Sequence, residues 1–291
     1  MKTKQIIAIA IALVAVLALY FGTTNVKPKA KEHSEHDGHD HAPAPAGPMM
    51  GGAMMTAANF DSLETDIKKR LLSPQVKAEV ENNEQQIARA PDVQAKSDAY
   101  ESLGKRWLGI GQKGIAANYY EKAGDLVNSE KMLNFAAHLY EEGMNNTENP
   151  GIRKLFADGR VASLNRVLSI NPKNDTASID VAIAMIDQGD MMNGIVKLRD
   201  FADANPKNVR AQVTLGKMSL QTNQLDKAVE RGKKVIEIDA NNVDAYLLLG
   251  EASLRLGKTD EAIAYFTKAK KVADNPKLSQ EIDAYIEKFK K

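Results

Sequence analysis

Two rhythms of apolar residues divide the chain. The first is a solid block: Ile6 to Phe21 is unbroken apolar sequence, and no charged residue occurs over the 22 positions from Gln5 to Val26. A helix rises ~1.5 Å per residue, so that stretch covers roughly 33 Å against a hydrocarbon layer of ~30 Å. The second rhythm begins near residue 60, where apolar side chains return every three or four positions, the spacing of a helix with one buried stripe. Phe60, Leu63, Ile67 and Leu71 form one such stripe, and Val76, Val80 and Ile87 a second that runs to Ala90–Pro91. Ser73–Pro74 between them reads as an N-cap followed by a first-turn proline. Residues 23–58, between the two rhythms, are rich in Pro, Gly and small residues and cannot bury enough surface to order themselves.

From residue 97 the helical pattern itself repeats, four times in about 34 residues each. Gly216 and Gly250 are 34 apart and each follows a leucine, Leu215 and Leu249. Ala228 and Ala262 come twelve residues after those glycines, and Ala182 sits one period before Gly216. Gly189, Asn223 and Gly257 take the turn position, and Pro172 and Pro206 end two second helices. An earlier copy reads Tyr100, Leu103, Gly104, Trp107, Ala116, Tyr120, Ala123. Small residues at such spacing let two helices approach closely while larger ones fill the space between neighbouring units.

That order of aromatic, Leu-Gly, aromatic, then Ala and aromatic resembles the tetratricopeptide repeat over about residues 97–276. The resemblance implies an all-α fold, a right-handed α-solenoid of helix hairpins. It also implies a concave groove that holds other proteins or peptides. Carried over position by position, the groove is lined by Ile179, Ile183, Ile186 and Asp187, then Arg210, Val213, Lys217, Leu220 and Gln221, then Leu247, Glu251, Leu254 and Arg255. Such an aliphatic groove suits an amphipathic helix, with Arg210, Lys217 and Arg255 as anchors. Val213 and Leu247 stand where family members that clamp a C-terminal carboxylate use Lys and Asn, so that clamp is not expected.

The apolar block is expected to be an N-terminal transmembrane helix, an uncleaved signal anchor over 1–22. Leu19–Tyr20–Phe21 stands where a cleaved leader needs small residues. Lys2 and Lys4 point to a cytoplasmic start, weakened by Lys27, Lys29 and Lys31 on the far side. The expectation is a single-pass inner-membrane protein with its C-terminal body periplasmic or otherwise extracytoplasmic. The linker, 23–58, is expected to be disordered. It carries His33, His36, His39 and His41 among acids, then Met49, Met50, Met54 and Met55. Imidazoles and thioethers suit copper-type metals, so the alternative function is metal handling outside the cytoplasm. Lacking thiolates, the linker would bind a transition metal weakly, and no resident cofactor is expected.

The remaining boundaries are a helical hairpin over 59–91 that covers the first repeat, the repeats over 92–276, and a capping helix over 277–291. Gly143 to Gly151 is turn-rich and reads as a loop insertion in the second repeat. Chemistry finds little to work with. The chain has no cysteine, and His138 is the only histidine in the body, so no nucleophile–base pair assembles. Gly109, Gly111 and Gly114 spell a dinucleotide-binding pattern, but between two helices rather than after a strand. A net charge of +1 offers no field for nucleic acid. The sequence points to a binding protein without nucleotide, nucleic acid or catalysis.

Overall fold

The computed structural model describes residues 59–289, and every regular element among them is an α-helix. In chain order these are α1 (Phe60–Arg70), α2 (Pro74–Arg89), α3 (Val93–Gly109), α4 (Lys113–Val127), α5 (Glu130–Asn145), α6 (Pro150–Ile170), α7 (Asp175–Asp187) and α8 (Met191–Ala204), followed by α9 (Val209–Gln221), α10 (Leu225–Ile238), α11 (Val243–Arg255), α12 (Thr259–Ala273) and α13 (Pro276–Ile286). They fall into two compact units, one through Pro206 and one from Lys207. Among the described residues no helix is long and apolar enough to cross a membrane. The expected span over 1–22 and the linker over 23–58 lie outside them.

The last three first helices share one cap, and four hairpin bends share one turn. Asn174, Asn208 and Asn242 precede α7, α9 and α11, and their side chains accept from the amides of Ala177, Ala211 and Ala245 at 2.9, 3.0 and 3.0 Å. Each satisfies an amide that the first helical turn leaves unpaired. At the hairpin bend the chain enters the left-handed region at Gly111, Gly189, Asn223 and Gly257. The next amide then reaches back: Gln112 to Trp107, Asp190 to Met185, Gln224 to Ser219 and Lys258 to Ser253, at 2.8–3.0 Å between N and O. That bond closes the orphaned last turn of the first helix and sends the second back along it.

The α5–α6 pair breaks this rule, and corrects the expected loop insertion. Only residues 146–149 link the two helices. Asn149 caps α6, accepting from Gly151 and Ile152 at 2.9 and 3.1 Å, and Pro150 takes the first helical position. The extra residues lengthen α6 to 21 residues instead of forming a loop.

Glycines set the spacing inside each unit. A methyl on Gly114 would lie 2.1 Å from the Phe156 ring, and one on Gly159 2.5 Å from Tyr140. In the second unit Gly216 receives Leu248 and Gly250 receives Phe266 in the same way. The first unit's core runs through Leu103, Trp107, Ile115, Leu139, Tyr140 and Phe156. The second unit's gathers Leu247, Phe266, Leu278, Ile282 and Ile286, so α13 closes the apolar side of α12. Leu71, expected in the first stripe, lies beyond the end of α1 and is exposed, while Leu72 turns inward.

Candidate partner-binding surface

The residues carried over to the groove divide between the two units. On α7, Ile179 is buried, Ile183 and Ile186 are half-buried, and Asp187 is exposed with its carboxylate 2.7 Å from the buried Arg160 guanidinium. On α9, Val213 and Leu220 are buried, Lys217 is half-buried and Arg210 is exposed. On α11, Leu247 and Glu251 are buried, and Leu254 and Arg255 are half-buried.

Burial assigns several of these side chains to the chain's own packing. Val213 packs with Val235 and Ala245, Leu220 with Ala228 and Leu248, and Leu247 within the cluster around Phe266. Two expected anchors are likewise engaged inside the second unit. Lys217 pairs with Asp244 at 3.1 Å, tying α9 to α11. Arg255 donates from Nε to Glu251 at 2.7 Å and from Nη1 to the Leu220 carbonyl at 2.8 Å. Glu251 in turn accepts the Tyr285 hydroxyl at 2.7 Å, which fastens α13 to α11. Ile183 is half-buried on the first unit's face, Ile186 packs its Cγ1 against Gly194 of α8, and in the second unit Arg210 is exposed while Lys217, Leu254 and Arg255 are half-buried.

A motif the sequence reading passed over is a tyrosine hydroxyl donating to a carboxylate between helices. Besides Tyr285 to Glu251, Tyr119 on α4 donates to Glu64 on α1 at 2.8 Å, and Tyr140 on α5 donates to Glu121 on α4 at 2.6 Å. Burial and the neighbouring carboxylate hold all three phenols well above their ordinary range. Burial also raises Glu64 and Glu121 above ordinary glutamate. The sequence signal for the first pair was present: Glu64 stands four residues after Phe60 and three before Ile67, on the buried face.

The glycines of the dinucleotide-like pattern serve the fold. Gly109 ends α3, Gly111 makes the left-handed turn and Gly114 admits Phe156. His138 is exposed, 3.9 Å from Glu142. Among the described residues no three His, Asp or Glu side chains are grouped to hold a metal. The eight histidines and methionines proposed as ligands lie outside those residues.

Residues 220–280 match the tetratricopeptide repeat. The match covers the end of α9, all of α10, the α11–α12 hairpin and the start of α13. No curated protein matches the chain by sequence. Among solved structures, the chain is similar to YrrB, described as a TPR protein with an unusual peptide-binding site, at 15% identity over 64% of this chain and 91% of that one, TM-score 0.43. It is similar to MamA of Desulfovibrio magneticus at 19% identity over 60% and 94%, TM-score 0.45. A thermophilic TPR protein of Thermus thermophilus gives 16% identity over 65% and 97%, TM-score 0.46. Likenesses this distant carry nothing about function to this chain.

Proposed function

We propose that this chain is a tetratricopeptide-repeat protein that holds other proteins, as a scaffold or assembly factor, on the open faces of its first helices. The observation that carries this is the repeated hairpin itself. Interlocked glycines and aromatics use up the interior, and the outer turns of α7, α9 and α11 present aliphatic and basic side chains to solvent. In the first unit Ile183 offers an aliphatic contact, and in the second the exposed Arg210 offers a positive charge; each unit's face suits a helical partner by itself. The apolar block over 1–22 tethers this body to the inner membrane, and the linker lets it stand off from the lipid on the extracytoplasmic side.

The test is capture of partners by the full chain in membranes, comparing the parent with Arg210→Glu. Loss of specific partners from a variant that melts like the parent is expected. An unchanged partner set clears these faces of the role. Lys217 and Arg255 are left intact because Lys217 ties α9 to Asp244 of α11 and the Arg255 guanidinium ties α11 to Leu220 and Glu251. A second reading, metal handling, rests on the imidazole and thioether pattern of His33 to Met55. Calorimetry of a peptide covering residues 30–56 tests it, and copper heats equal to those of a His-free control end it.

A further inference from the structure

We draw no further inference here: the strongest candidate, the patch of exposed Met191, Met192 and Val196 on the first two turns of α8, carries nothing because nothing in the structure shows what covers it.

Discussion

Replacing Gly159 with alanine probes how tightly the hairpins interlock. A methyl there would lie 2.5, 2.7 and 2.9 Å from Tyr140 Cζ, Cε2 and Cε1. Tyr140 has no easy retreat, since it is fully buried and its hydroxyl donates to Glu121 at 2.6 Å. Overpacking of this kind costs about 1–3 kcal/mol, and alanine returns about 1 kcal/mol of helix propensity. Pulling the ring off its carboxylate sacrifices part of a charge-assisted bond worth about 1.5–3 kcal/mol. The balance is a loss of about 2 kcal/mol, a fall of roughly 4–8 °C in Tm for a unit of this size. Thermal melts followed by circular dichroism, and by fluorescence of Trp107 (the single tryptophan), measure it in a double-mutant cycle with Tyr140→Leu. The smaller leucine makes room for the methyl, so the two changes should couple by about 1 kcal/mol or more. A raised Tm for Gly159→Ala, or additivity within about 0.5 kcal/mol, refutes the interlocking.

Other expectations follow from single contacts. Asn223 holds φ of +55° at a hairpin turn; Asn223→Ala should cost about 1 kcal/mol in a melt, and Asn223→Gly should not. Burial raises Glu121 above its ordinary value of 4.5. The stability this contributes is full below that value and is lost as pH rises through the raised one. Melts between pH 4.5 and neutrality should therefore fall with rising pH, and Glu121→Gln should flatten that slope; an unchanged slope in the variant places its origin elsewhere. Because burial holds Tyr119, Tyr140 and Tyr285 protonated, their phenolate absorbance in an alkaline titration should appear only together with loss of helix.

The period of the fold was legible in the sequence because Gly216 and Gly250 must both be small for Leu248 and Phe266 to enter. Asn174, Asn208 and Asn242 carry the same period and were missed, since an asparagine before a helix looks like ordinary loop until its acceptor is seen on an amide. Gly143 to Gly151 misled because its Gly, Asn and Pro read as turn. Asn149–Pro150 is the same cap-then-proline signal recognised at Ser73–Pro74, and it starts a long helix instead. The candidate surface was harder to read. Register on one helix places Lys217 and Arg255 outward, but Asp244, Glu251 and the Leu220 carbonyl come from other turns and helices. Which of these a side chain meets is decided by packing between hairpins. Glu64's place on the buried face was legible, but its partner, 55 residues away, was not.

The most direct test of partner binding is site-specific photo-crosslinking of the full chain in intact cells. A photoreactive residue at Ile183 should give discrete protein adducts, and one at the exposed Lys268 on α12 should give none. Adducts of equal yield at both positions, or none at Ile183, contradict a role for this helix face in holding other proteins.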